Sequence, residues 1–167
     1  MQDTDISRAI AETWHEKLTG AITGDVIITG GGPSGLVAGS KLAAAGLRVT
    51  VIEKRLAPGG GVWGGGMGMN VAVIQDEAVG LLDEFGVRHK DCGGGLHAVE
   101  AAELASALCL GAIQSGATFL NLTAAEDVCV QNGRVVGVVA NQSMLLGKLP
   151  VDPITLSSRA ALDGTGP

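Results

Sequence analysis

The chain is poor in aromatic side chains: its 167 residues include two Phe, two Trp and no Tyr. A core built from it has to be aliphatic, packed from Ala, Val, Leu and Ile. Basic runs are missing too. Eleven Lys and Arg stand against 17 Asp and Glu, for a formal charge of −6. A field of that sign repels a phosphate backbone, so the composition argues against a nucleic-acid partner. No apolar run approaches the roughly 20 residues of a membrane-spanning helix. The N-terminal MQDTDISRAI is acidic and has neither the basic nor the apolar region of a secretory signal. Only three cysteines occur, Cys92, Cys109 and Cys129, at separations of 17 and 20 residues. That number and spacing suit neither a disulfide framework nor a metal motif. Together these absences point to a cytoplasmic protein with free thiols, away from membranes and nucleic acid.

What is abundant is glycine. There are 27, more than twice the ordinary share of roughly 7%, and they cluster in loops. Hydrophobic residues make up 46% of the chain, enough for a core, and the length suits one ordinary domain or one lobe of a larger one. The expectation is a single dinucleotide-binding domain over 1–167.

Hydrophobic periodicity divides the chain into elements. Ile6, Ala9, Ile10, Trp14 and Leu18 recur at helical spacing and predict an amphipathic helix. DVIIT (25–29) reads as a buried strand, 36–45 as a helix ended by Gly46, and LRVTVIEK (47–54) as a second strand. Short connections of this kind make a right-handed parallel βαβ unit. A helix is predicted over 75–85. A longer one is predicted over 98–115, with Ala102, Ala105, Leu108, Cys109, Ala112 and Ile113 inward. ATFLNL (117–122) reads as another strand. Two alternating runs meet at Asn132-Gly133, a strong hairpin signal, and give a β-hairpin insertion at about 126–141. Residues 142–153 read as a loop and 155–162 as a last short strand. The fold class is α/β: a Rossmann-like, three-layer FAD/NAD(P)-binding type with a parallel sheet.

The first βα turn carries chemistry. Gly30-x-Gly32-x-x-Gly35 follows a strand and opens a helix, and Glu53 ends the next strand 18 residues after Gly35. In this pattern Gly30 permits the tight turn, Gly32 lets a pyrophosphate approach the backbone, and Gly35 lets helix pack on strand. The helix start offers unpaired N–H groups and a partial positive charge to the diphosphate. Glu53 is placed to accept ribose hydroxyls and disfavours a 2′-phosphate, so NAD or FAD is expected over NADP.

Beyond this, EKRLAPGGGVWGGGMGMNVAV, from Glu53 to Val73, closely resembles the thiazole synthases of thiamine biosynthesis. The likeness extends to ISRAI, DVIITGGGPSGLVAGSKLA, LLDEFGV, NGRVVGVVAN and VDPITLSSRAALDGTG, and so covers nearly the whole chain. It implies a transferase-type enzyme that consumes NAD as a substrate. With glycine and sulfide, and with Fe(II), it builds an adenosine diphosphate thiazole. It also implies a homo-octamer, and glycine triplets whose backbone closes around the nucleotide, with Trp63 and Met67 as apolar walls. Nucleotide contacts are implied for Gly30, Gly32, Ser34, Gly35, Glu53, Lys54, Gly61 and Ala125, and for Pro150, Val151 and Asp152 of the PVDP element. Lys54 stands where the family usually has Arg.

The catalytic and metal assignment falls on Asp152, which in the family pairs with the His of a TGH turn. Here that position is Pro167, after Gly164-Thr165-Gly166. The family places a sulfur-donating Cys, or a His, two residues before the Asp; here that residue is Pro150. Pro150 argues against a sacrificial cysteine, and the resemblance is to a diverged or truncated member of the family. Two alternatives stand beside the synthase: an FAD-dependent oxidoreductase, favoured by the hairpin and the TG turn of flavoprotein folds, and an inactive relic that binds NAD or ADP-ribose. The remaining polar residues read blandly. His15 and His89 are expected to be solvated and His97 to begin a helix. Asp76, Glu77, Asp83 and Glu84 are expected on a solvated helix face.

Overall fold

A computed structural model describes residues 2–144 and 152–166. The chain opens with helix α1, Asp3–Ala21. Asp3 and Asp5 sit in its first turn, where the positive end of the helix dipole favours acids, and Asp5 Oδ2 accepts the Gln2 N–H at 3.2 Å. The predicted apolar stripe is present but stays largely in solvent: Ile6, Ile10 and Trp14 are exposed. Only the C-terminal end, through Leu18 and buried Ala21, packs on the body.

Strand β1 (Val26–Thr29), helix α2 (Pro33–Ala44) and strand β2 (Val49–Glu53) form the expected parallel βαβ unit. After it the chain makes a 3-10 turn over Gly60–Gly64 and strand β3 (Val71–Gln75). A second 3-10 turn at Asp76–Ala78 leads into a short helix α3, Val79–Glu84. Strands β4 (His89–Asp91) and β5 (Leu96–Glu100) precede helix α4 (Ala101–Gln114). Strand β6 (Thr118–Asn121) is followed by β7 (Thr123–Gln131), β8 (Arg134–Gln142), β9 (Ile154–Ser157) and β10 (Ala160–Asp163).

A four-stranded parallel sheet in the order β10-β1-β2-β6 forms the centre. Its two central strands, β1 and β2, are covered on both faces, and VIIT and VTVIE are accordingly buried almost throughout with no alternation of buried and exposed residues. Alternate residues feed two cores. Ile28, Val49 and Val51 pack with Leu36 of α2 and Leu104, Leu108 and Ala112 of α4. Ile27, Ile52 and Leu120 pack with Val138, Ala140 and Leu156 of the antiparallel sheet β7-β8-β9. The three layers are thus two helices, the parallel sheet and a β-meander. The β7–β8 hairpin turns at Asn132 and Gly133, both at positive φ (52° and 74°), as its two-residue connection demands.

Several sequence expectations need correcting. The helix predicted over 98–115 begins at Ala101; residues 96–100 form β5, the middle strand of a second antiparallel sheet, β3-β5-β4. Alanine favours helix locally, but pairing on both sides wins. Inside α4 the buried face is Ala101, Leu104, Ala105, Leu108 and Ala112, whereas Ala102 and Ile113 are exposed. The helix predicted over 75–85 shrinks to α3 behind its 3-10 turn. The single last strand is two, in different sheets: at Ser158 the chain leaves β8, and the N–H groups of Arg159 and Ala160 both turn to Asp25 O. The hairpin is longer than predicted, 123–142, and β9 makes it a three-stranded sheet. The expected 142–153 loop lies mostly outside the described residues.

Candidate functional site

A cleft of about 700 Å³ opens at the C-terminal ends of β1, β2 and β10. That is where open α/β sheets hold ligands, and the volume is within the range of small-molecule and cofactor sites.

Its floor is the β1–α2 turn. Gly30 sits at φ +101°, and a Cβ there would lie 2.6 Å from Gly164 O, so both its backbone angle and its neighbour require glycine. Its N–H reaches Ile52 O on β2 at 2.8 Å. Gly32 caps α2 with Pro33 at the first helical position, and Ser34 is exposed in that first turn. Gly32, Pro33 and Ser34 all line the cleft, and the first turn of a helix has N–H groups without intrahelical partners. Gly35 is not a lining residue. A Cβ there would meet Gly30 O at 2.1 Å, so it lets α2 pack on the turn.

Glu53 lines the cleft from the end of β2 and is only 5% exposed. Its Oε2 accepts the Gly31 N–H at 2.8 Å and its Oε1 the Arg55 N–H at 2.7 Å. The carboxylate therefore shapes the glycine turn and the following bend, with lone pairs left for a ligand. Lys54 and Arg55 are exposed cations on the wall. Their backbones are pinned, since Lys54 O accepts the Ser143 hydroxyl at 2.7 Å and Arg55 O the Leu122 N–H at 3.2 Å. Thr123, Ala124 and Ala125 close the far side.

The first glycine triplet serves the cleft. The Gly59 N–H donates to Gly31 O at 2.7 Å, and a Cβ on Gly60 would sit 3.2 Å from Gly32 Cα. One glycine loop therefore rests against the other, and Gly60 and Gly61 face the cleft. The second triplet serves folding. A Cβ on Gly65 would lie 2.4 Å from Val71 N, where the chain turns into β3. The aromatic and thioether walls expected of Trp63 and Met67 are not there. The Trp63 ring lies over Gly59 with Nε1–H donating to Pro58 O at 2.7 Å, and Met67 is 89% exposed.

Gly164, Thr165 and Gly166 complete the lining. Asp163 Oδ1 holds this turn by accepting the Thr165 hydroxyl at 2.6 Å and the Thr165 N–H at 2.9 Å. Those two bonds, the hydroxyl's first, hold the Asp163 carboxyl below its ordinary value.

Of the sequence-predicted residues, Gly30, Gly32, Ser34, Glu53, Lys54, Gly61 and Ala125 come together in the cleft. Asp152 is exposed just before β9 and is not among the lining residues. Pro150, Val151 and Pro167 lie outside the described residues. Sequence reasoning gave no role to Thr29, Thr123 and Thr165; the TG turn after the last strand was the signal for the third. No cluster of three or more His, Cys, Asp or Glu that would hold a metal occurs among the described residues. All three cysteines are free, and burial pushes the Cys109 thiol up. No helix among the described residues is long and apolar enough to cross a membrane.

The fold and cleft define an α/β protein of the Rossmann-like class. A halogenase, the FAD-dependent CndH, shares that fold at TM-score 0.63 and 21% identity over 86% of this chain and 37% of the halogenase. Residues 7–167 match the Thi4 family, and the chain belongs to that family. Thiamine thiazole synthases from Thermococcus kodakarensis and Methanothermobacter thermautotrophicus are 43% and 46% identical to it across 99% of its length. The crystal structure of Thermovibrio ammonificans THI4 matches at TM-score 0.95 and 41% identity over 99% of this chain. The chain spans 65–66% of the length of these three relatives.

Proposed function

We propose that the cleft binds NAD as a substrate and that the chain serves the synthesis of the thiazole precursor of thiamine. The observation that carries this reading is the convergence, in a family member, of the α2 N-terminus, the Glu53 carboxylate and the Gly60–Gly61 backbone on one cleft. The diphosphate meets the free N–H groups of the first turn of α2 and the charges of Lys54 and Arg55. The adenosine ribose meets Glu53. Gly61 leaves open space where a Cβ would intrude, as nothing lies within 4 Å of it. In the reaction assigned by resemblance, NAD loses nicotinamide, and the ADP-ribose ketone condenses with glycine and takes up sulfide.

Iron is a different matter. Asp152, the carboxylate at the family's iron position, is exposed, and no group of three or more His, Cys, Asp or Glu that could hold a metal occurs among the described residues. Fe(II) in nitrogen and oxygen sites is held by several fixed ligands. Pro150 and Pro167, at the two family imidazole positions, bring none. The residues present do not fit a resident iron, and no step is assigned to one.

The test is anaerobic incubation with NAD, glycine, sulfide and Fe(II), followed by mass spectrometry of the small molecules. An adenylated thiazole establishes the synthase and shows that neither imidazole position is indispensable. Nicotinamide with ADP-ribose but no thiazole limits the activity to the first half-reaction. Unchanged NAD, beside a relative that turns it over, overturns the reading and leaves a nucleotide-binding relic. A yellow chromophore released from the purified protein would instead support the FAD-dependent alternative. The octameric assembly implied by resemblance is a further proposal, tested by light scattering.

A further inference from the structure

Away from the cleft, three side chains expected to be solvated, His89, Asp76 and Asp83, form a chain of contacts with His97, which was expected to begin a helix and instead lies within β5. His97 on β5 sets Nε2 2.6 Å from Asp76 Oδ1. His89 on β4 sets Nε2 3.3 Å from Asp83 Oδ1 on α3. Between them the two Nδ1 atoms lie 3.2 Å apart, with the rings edge to face at 5.1 Å. An ionised carboxylate only accepts, so each Nε2 that contacts one carries the hydrogen. In a neutral imidazole this makes Nδ1 the lone-pair atom. Two lone-pair atoms then face one another across 3.2 Å, an arrangement satisfied either by a proton on one Nδ1, which makes an N–H···N hydrogen bond, or by a metal cation between them.

We infer that the Nδ1 atoms of His89 and His97 form a two-imidazole seat for a borderline divalent cation, with zinc the fitting type. The spacing agrees. A tetrahedral centre with Zn–N bonds of about 2.0–2.1 Å holds two nitrogens about 3.3 Å apart. A carboxylate behind each ring is the arrangement that metal-ligating histidines show, because it fixes the tautomer and raises the basicity of the ligating nitrogen. Imidazole suits Zn, Cu and Ni better than the hard cations. The His97 and His89 side chains are 13% and 24% exposed, so the rings are held by packing yet reached from solvent. No third protein ligand converges among the described residues, and water completes the shell. The ion would tie β4 and β5 to each other and, through Asp83 and Asp76, to α3 and the turn before it. None of the four residues lines the nucleotide cleft, so the inference stands apart from the proposed function.

Calorimetric titration of the untagged full chain with Zn²⁺, repeated with Co²⁺ for its absorption spectrum, tests this. One ion per chain is expected, with a cobalt spectrum free of thiolate charge transfer. His89→Gln and His97→Gln should each weaken binding at least tenfold. Asp76→Asn should weaken it about 10–100-fold, the usual effect of losing a carboxylate behind a ligating imidazole. Cys92→Ser should leave it unchanged. A second readout needs no variant: imidazole ¹⁵N spectra of the unaltered chain should show both Nδ1 resonances shifting with zinc. Equal affinity in both histidine variants overturns the inference, as does loss of the ion in Cys92→Ser or Asp152→Asn. Nδ1 resonances that ignore saturating zinc, and report a proton shared between the rings instead, also overturn it.

Discussion

Replacing Gly30 with Ala tests the reasoning on which the cleft depends. Two costs combine there. At φ +101° an L-residue is strained, by about 1–2 kcal/mol on the scale of left-handed backbone. The new Cβ also lies 2.6 Å from Gly164 O and 2.9 Å from Thr165 N. These are backbone atoms that no side-chain rotation relieves, and overpacking of this kind costs about 1–3 kcal/mol. The sum is about 2–5 kcal/mol, against a total stability of about 5–15 kcal/mol for a domain. At about 2–4 °C per kcal/mol for a chain this long, Tm should fall by about 10 °C. Two controls separate the contributions. Gly46 has φ +85° and nothing within 4 Å of its Cβ position, so Gly46→Ala should carry the strain alone, about 4 °C. Gly61 has neither a positive φ nor a neighbour, so Gly61→Ala should leave Tm unchanged while weakening the stabilisation given by added NAD or ADP-ribose. Scanning calorimetry of the three variants, with and without nucleotide, reads all of this. A Gly30→Ala loss no larger than that of Gly46→Ala would refute the close approach of the two glycine turns. A Gly61→Ala variant with normal nucleotide response would refute the placement of ligand against Gly61.

Glu53→Gln should be costly although it is nearly isosteric. Both carboxylate oxygens accept a backbone N–H, and an amide presents one oxygen only. One N–H beside a buried side chain is left unsatisfied, a loss of about 1–3 kcal/mol, visible in urea unfolding with an unchanged m-value. Asp163 gives a pH signature. Its carboxyl is held below the ordinary value of 3.8, chiefly by the Thr165 hydroxyl and then by the Thr165 N–H. A carboxyl with a depressed folded pKa stabilises the fold fully above its unfolded value and loses that contribution as pH falls through the folded one. The turn lining the cleft should therefore hold at pH 5 and loosen only in acid below 3.8. A ¹³C carboxyl titration should show Asp163 moving back toward the ordinary value in Thr165→Val; an unmoved titration would remove the hydroxyl from the account.

Much was legible in the sequence where local pattern and global role agree. DVIIT reads as a buried strand and LRVTVIEK as a second, and both are strands of the central sheet. Gly30, Gly32 and Gly35 before a helix, with Glu53 ending the next strand, fixed the first βαβ unit and the floor of the cleft. Asn132-Gly133 located its hairpin to the residue. The likeness around PGGGVWGGG pointed to the family to which the chain proved to belong. Tertiary structure decided the rest, because its causes are distant in sequence. Leu96–Glu100 became a strand only because β3 and β4 pair with it on either side, against the helical preference of the alanines that follow. The chain between 154 and 163 split into strands of two sheets because Arg159 and Ala160 find Asp25 O, more than 130 positions away. Two glycine triplets that look alike took different tasks, one resting on the Gly30 turn and one admitting Val71. The meeting of His89 with His97, each backed by an aspartate, needed the antiparallel register of β4 on β5 and the packing of α3 beside them. Periodicity and local motif report what one segment buries or how it turns; which segments then face each other is set by long-range pairing, and only the folded chain contains it.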